Sequence, residues 1–246
     1  MKPLNTFIFH RITDGAPDNW ADVNKFFFKA FIDDALNQNN SFASINQWYE
    51  KGEGNLCLTF DDGNLSDFGN VFPVLGDRGI KASFFIVPDF VGKKGFMNWS
   101  HIIELHKYGM EIGSHSLSHK FMTTLRNDDL HNEIAKSKKV IEDKIGSPIN
   151  SFAYPYGDCS NKTHNIIKKL GYKNICTSKP GLNNSSRIIK RNSIHSQHKE
   201  KDIYHLLNPA YQSILLSSTK YYLRSALKKS LGMKNYLILK DAIYKK

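Results

Sequence analysis

With 246 residues, 40% of them hydrophobic and 23% charged, the chain is long enough to bury a full core, and its composition excludes a disordered or fibrous protein. The net charge of +11 is uneven: residues 187–246 hold 13 Lys or Arg against 3 Asp or Glu, and the first 186 residues are close to neutral. Three cysteines, Cys57, Cys159 and Cys176, with no CxxC spacing exclude a disulfide framework and point to a reducing compartment.

In chain order, the first apolar run is Thr6–Phe9, which predicts a strand. It falls short of the roughly 7 residues of a signal-peptide core, and no stretch reaches the roughly 20 of a membrane span, so a cytoplasmic location is expected. Asn24 is placed to cap a helix through Phe28, Phe31 and Ile32. Leu56–Phe60 reads as a buried strand, followed by a helical pattern from Leu65 to Leu75 that Pro73 bends or ends. Ala82–Val87 is a strand, Ser100 caps a helix through Ile102 and Leu105, and Met110–Gly113 is the next strand. Leu130, Ile134, Ile141 and Ile145 share one face of a helix over 128–145 that Gly146 stops. Ser151–Tyr154 is a strand, Lys162–Leu170 a helix, and Lys173–Thr177 and Ile188–Ile194 two more strands. This alternation predicts a parallel sheet, open or closed into a barrel, with chemistry on the loops after the strands.

Three such loops are polar. Asp61-Asp62-Gly63 places two carboxylates side by side, where like charges repel at the edge of a core; an ordinary Asp-Gly turn is the bland alternative. Gly113-Ser-His115-Ser-Leu-Ser-His119 sets two imidazoles four residues apart, near enough on a helix or turn to share an ion. Two imidazoles and one carboxylate make a common catalytic zinc set with a position left for water, and the second carboxylate is then free to act as a base. Tyr154-Pro155-Tyr156-Gly157 is a stiff aromatic turn whose backbone N–H groups are suited to an oxyanion. The remaining histidines show no partner pattern.

In this order, Thr59-Phe-Asp-Asp-Gly, His115-Ser-Leu-Ser-His119 and Ala153-Tyr-Pro-Tyr-Gly resemble the motifs of the polysaccharide deacetylase family with its NodB-type domain, over residues 5–195. The resemblance implies an α/β fold, a distorted (β/α) barrel of about seven parallel strands in a single domain spanning 1–207, with 208–246 as a basic helical extension. It implies Asp61 as general base, Asp62, His115 and His119 as ligands of a divalent metal, and the Tyr156 backbone amide as oxyanion donor. The family also uses a histidine as general acid. Phe7-Ile-Phe-His10 resembles the circularly permuted exopolysaccharide branch, where that histidine comes first, and Asn192-Ser-Ile-His195 resembles the usual late position. His10 is favoured, with His195 as the alternative. Many members begin the third motif with an Arg that pairs with the base; Ala153 stands there, and Arg191 is the candidate replacement.

The expected activity is removal of an N-acetyl group from an amino sugar, in a surface glycan or its nucleotide- or lipid-linked precursor, with zinc favoured by the ligand types. Trp99, Tyr154 and Tyr156 are candidate walls for the sugar. Two other readings stay open: a non-catalytic glycan-binding barrel, and an amidohydrolase acting on a small cyclic amide. In the tail, Leu223, Ala226, Leu227 and Leu231 share one helical face, with Arg224, Lys228 and Lys229 elsewhere. Such a helix either lies on an anionic membrane surface, at the inner membrane for a cytoplasmic chain, or packs on the barrel with its lysines in solvent. No nucleic-acid module is present.

Overall fold

The structure, a computed structural model, describes residues 3–232 and 235–236. Eight parallel strands form the body: β1 (Leu4–Phe9), β4 (Leu56–Phe60), β5 (Ser83–Ile86), β6 (Glu111–Ser114), β7 (Ser151–Ala153), β8 (Asn174–Cys176), β10 (Ile188–Ile189) and β11 (Asn192–Ser193). Their order across the sheet is β10-β8-β7-β6-β5-β4-β1-β11, and β9 (Leu182–Asn183) pairs antiparallel with β1. A small second sheet pairs β2 (Ile12–Thr13) with β3 (Val23–Asn24). β1 and β4 are buried along their whole length, as strands covered on both faces must be.

The expected strand over 188–194 is two strands. β10 pairs with β8 at one edge of the sheet and β11 with β1 at the other, so Lys190 and Arg191 cross between the edges. The Arg191 N–H binds the Lys179 carbonyl instead of a sheet neighbour (2.9 Å). The sheet is a nearly closed barrel, and Arg191 lies in its seam.

The expected helix starting at Asn24 is α1 (Lys25–Asn37): Asn24 accepts from the Phe26 N–H, and Phe28 and Phe31 pack edge-on against Phe9 and Phe7. α2 (Ile45–Lys51), which the apolar pattern did not mark, opens with a reciprocal cap between Ser44 and Gln47. Its Ile45 N–H binds Ser83 Oγ and its Asn46 N–H binds Glu111, both at the starts of strands. Ile45 and Trp48 pack with Leu4, Cys57, Phe85 and Cys176, so α2 plugs the barrel at the strands' amino ends. The other end is left for chemistry.

After β4 a wide turn leads into α3 (Phe72–Gly76), which Pro73 begins rather than ends. α4 (Trp99–Lys107) is capped by Asn98, two residues before the expected Ser100. α5 (Asn127–Ile145) ends at left-handed Gly146 as expected, and α6 (Asn161–Lys169) follows the third motif.

Past α7 (Ile203–Leu207), α8 (Tyr211–Leu231) runs along the barrel in an unexpected orientation. Its half-buried residues are Ile214, Ser218, Tyr221, Ser225 and Lys228, a mostly polar stripe at helical spacing. Leu215, Leu216, Leu223 and Leu227 are exposed. The helix thus borders the barrel with a mostly polar stripe, and Lys220 and Arg224 are exposed, as are the leucines. No helix among the described residues is long and apolar enough to cross a membrane.

Gly113 lies opposite Phe85 in the β5–β6 ladder, where a Cβ would sit 2.6 Å from the Phe85 ring and 2.8 Å from the Ser151 carbonyl oxygen. Backbone cannot yield as a side-chain tip can, so Gly113→Ala should destabilise the fold by about 1–3 kcal/mol, read as a lower urea midpoint. It should also displace His115, two residues on.

Candidate active site

The three polar loops follow β4, β6 and β7 and meet at the open end of the barrel. Their backbones are strained: of the five non-glycine residues with positive φ among those described, four are Asp62, Ser116, His119 and Tyr156. Each such conformation costs of order 1–3 kcal/mol at a residue with a Cβ, and strain gathered in one place marks a site held against local preference. His115 and His119 converge through these bends, not through a helix; their rings lie 4.9 Å apart.

Asp62, His115 and His119 each offer one ligand atom, and the three atoms lie within 4.8 Å of one another. His115 Nε2 is 3.5 Å and His119 Nε2 3.2 Å from Asp62 Oδ1, which is buried and makes no hydrogen bond of good geometry. The tautomer of His115 is set by its other nitrogen. Nδ1 lies 2.8 Å from the Ala153 carbonyl, which only accepts, so Nδ1 carries the proton and the Nε2 lone pair faces Asp62. Burial pushes the His115 imidazole down to about 4 against the pull of Asp61, so the ring is neutral at pH 7. A neutral imidazole aimed at an orphaned carboxylate oxygen fits a divalent cation.

Asp61 turns the other way, onto Arg191. The guanidinium binds it bidentately, Nη1 to Oδ1 at 2.7 Å and Nη2 to Oδ2 at 2.9 Å. Nη1 also donates to Thr59 Oγ1, Nε donates to the Thr177 carbonyl, and the group lies over the Phe85 ring. Arg191 is wholly buried and Asp61 almost so. Burial alone would raise the Asp61 pKa; Arg191 outweighs it and holds the carboxyl below its ordinary range. Arg191 thus reaches Asp61 from the step between β10 and β11, which leaves position 153 to a buried alanine. A third carboxyl, Asp67, was not anticipated. It is fully buried with neither oxygen hydrogen-bonded, and burial together with Asp62 and Asp61 pushes it well above the usual carboxylate range.

These groups open into a cleft of about 1020 Å³ that His10, Trp20, Tyr154 and Tyr156 also line. His10 enters from the loop after β1, and its buried Nδ1 has no hydrogen-bond partner. His195 instead stacks between Trp20 and His198 and lines an adjoining lobe of about 540 Å³. Of the two candidate acids, His10 is the one that shares a chamber with Asp61, Asp62, His115 and His119. Tyr154 and Tyr156 line the cleft as expected, and Tyr156 packs on His119 and Phe121. Trp99 does not; it packs on the hydrophobic core from α4, beneath Lys144. Trp20 lines the cleft in its place, in a loop tied down by Arg11, which binds Asp18 and Asp22. The wall opposite comes from α8, through Tyr221, Arg224 and Lys228.

Removing Arg191 would leave Asp61 as an unpaired buried charge, at about 3–5 kcal/mol. Arg191→Met should therefore lower the unfolding free energy by that order in urea titrations, and Asp61→Asn in the same chain should restore much of it. A second test is acidic. Between pH 6.5 and 4 the unfolded chain binds a proton on His115 that the folded chain refuses, so the metal-stripped protein should lose about 3 kcal/mol as pH falls through that window. Thermal melts of wild type and His115→Gln will show it, the variant lacking that slope.

Comparison with known proteins agrees with this geometry. The model of the polysaccharide deacetylase family matches residues 49–175, just over half of the chain. Over 185 residues the chain is 26% identical to YxkH of Bacillus subtilis, which carries the polysaccharide deacetylase name; the match covers 72% of this chain and 65% of that protein. The chain thus spans less than two thirds of that relative. In structure it is similar to the deacetylase PplD of Streptococcus pyogenes in complex with acetate, with a TM-score of 0.76 and 20% identity over 84% of this chain and 99% of that one. It is also similar to IcaB from Ammonifex degensii, with a TM-score of 0.74 and 22% identity over 85% and 97%. These two likenesses, below a quarter identity, show the shared (β/α) barrel. With more than half of its residues under that family's model, the chain belongs to the polysaccharide deacetylases.

Proposed function

We propose that this protein is a metal-dependent hydrolase that removes the N-acetyl group from an amino sugar, with zinc on Asp62, His115 and His119. One observation carries the reading: two adjacent carboxylates are divided between two tasks. Asp62 faces two imidazoles, while Asp61 is clamped by Arg191 and kept ionised beside them. Structure alone does not require such a division, and a hydrolase needs both a ligand and a base.

When bound, the ion would polarise the acetyl carbonyl and make water acidic enough to attack near neutral pH. Asp61 takes the proton from the water as its oxygen bonds to the acetyl carbon. The pair with Arg191 lowers the basicity of Asp61, but it fixes the carboxylate's direction and guarantees its charge. The Tyr156 backbone N–H is assigned to the oxyanion. His10 donates a proton to the sugar nitrogen as the C–N bond breaks, because an amine leaves poorly as its anion. Acetate and a free amino sugar result. The non-catalytic glycan-binding reading is disfavoured by the Asp61–Arg191 clamp, which a passive groove has no use for. The two-lobed cleft suits a carried or linked sugar better than a small cyclic amide.

Asp61→Asn should keep zinc and lose about 10²–10⁴-fold in kcat, whereas His119→Ala should lose zinc and activity together. Zinc content by atomic emission, with acetate release from N-acetylated chito-oligosaccharides and nucleotide- and lipid-linked N-acetyl sugars, reads both. Full activity of the metal-stripped wild type in chelator would overturn the mechanism.

A further inference from the structure

We infer that the lobe beside the catalytic chamber is a diphosphate site, and that the amino sugar reaches Asp61 and His10 joined to a diphosphate-bearing carrier. The sugar part of this rests on the hydrolytic reading above; the anion site does not. The geometry begins on α8. Lys220, Arg224 and Lys228 recur at i, i+4 and i+8, so they fall along one stripe of the helix, about 12 Å long at 1.5 Å per residue. Lys220 and Arg224 line the adjoining lobe, and Arg224 and Lys228 line the catalytic chamber. Arg224 therefore stands at the junction, and the cationic stripe runs without a break from one lobe into the other.

The facing wall adds hydrogen-bonding groups and little opposing charge. His195, His198 and His205 line the adjoining lobe, and Asp202 is its one carboxylate among the described residues. Asp202 already accepts the Lys199 N–H at 2.8 Å. Hydroxyls of Ser178, Ser193 and Ser217 add hydrogen-bonding groups to that surface. A neutral glycan has no use for three cations along its path. A diphosphate, with two or more negative charges and several acceptor oxygens, matches the charge of the stripe, and Lys220 and Arg224, about 6 Å apart along the helix axis, suit its two phosphates.

The stripe is also coupled to the chemistry. Lys228 Nζ donates to the Tyr156 carbonyl at 3.1 Å, so the helix that would hold the anion touches the loop assigned to the oxyanion. Trp20 lines both lobes, with one ring face stacked on His195, and is placed to touch a sugar joined to a carrier in the adjoining lobe. The same chemistry is supplied by a nucleoside diphosphate or by a polyprenyl diphosphate. The exposed Leu215, Leu216, Leu223 and Leu227 on the outer side of α8 offer an apolar surface to a polyprenyl chain.

The test uses the full chain, with and without zinc, in calorimetric titrations with inorganic pyrophosphate, uridine diphosphate and geranyl diphosphate. All three should bind at low salt and weaken at high salt, in both zinc states. The Lys220→Gln/Arg224→Gln variant should bind at least tenfold more weakly at an unchanged melting temperature, and Arg224→Lys should recover part of the loss. Stronger uridine diphosphate binding assigns the nucleotide carrier, and stronger geranyl diphosphate binding the lipid one. In acetate-release assays the variant's KM should rise at least tenfold more for a diphosphate-linked N-acetyl sugar than for a neutral oligosaccharide. Absence of pyrophosphate binding, or binding untouched by the double substitution, overturns the site. Anion binding that is lost in the variant, with no acetate released from any sugar, keeps the anion site and rejects the deacetylase reading.

Discussion

The pairing of Arg191 with Asp61 is the interaction around which the molecule is organised. Arg191 sits in the two-residue step between the edge strands β10 and β11, so it occupies the seam where the barrel nearly closes. From there it reaches Thr59 and Asp61 at the end of β4 and the Thr177 carbonyl just past β8. One side chain thus staples three regions of the sheet and orients a carboxylate. A buried pair of this kind is weak as net stabilisation, because desolvating two ions offsets most of their attraction. Its value lies in specificity: with both Asp61 oxygens engaged, Asp61 and Asp62 do not compete for one role.

The site was more legible in the sequence than the scaffold was. Asp61, Asp62, His115 and His119 stood out because their side chains are costly at strand ends, and costly residues invite a functional reason. Arg191 was visible as a candidate only because a cation was missing at position 153. The strands came through as β-branched and aromatic runs. α2 did not, since its short apolar face is a plug read from caps and not from periodicity. The split at Arg191 was hidden because the apolar pattern continues across it, and a pattern along the chain carries no information about which edge a residue joins. Trp99 and Trp20 are alike locally; only the fold decides which indole meets the cleft.

The residues divide by where they lie in the chain. The metal set, Asp61 and Tyr156 fall inside the stretch that the family model covers, while His10, Trp20, Arg191 and all of α8 fall outside it. On the proposed mechanism, the shared part carries the hydrolytic core, and the flanking parts supply the candidate proton donor His10, the clamp on Asp61 and a wall of the cleft. Orientation of α8 follows the same division. Amphipathic helices ordinarily turn leucines inward, but here the inner side borders a polar cleft, so a mostly polar stripe faces it and the leucines are left outside.

The left-handed backbone at Asp62, His119 and Tyr156 has an evolutionary corollary. A conformation that disfavours any residue with a Cβ is relieved by glycine, and partly by asparagine. At Asp62 and His119 the same replacement would delete a candidate metal ligand and ease the main chain. Drift toward an inert barrel is therefore downhill in folding free energy, and a lineage that stopped needing the reaction would gain robustness as it lost it.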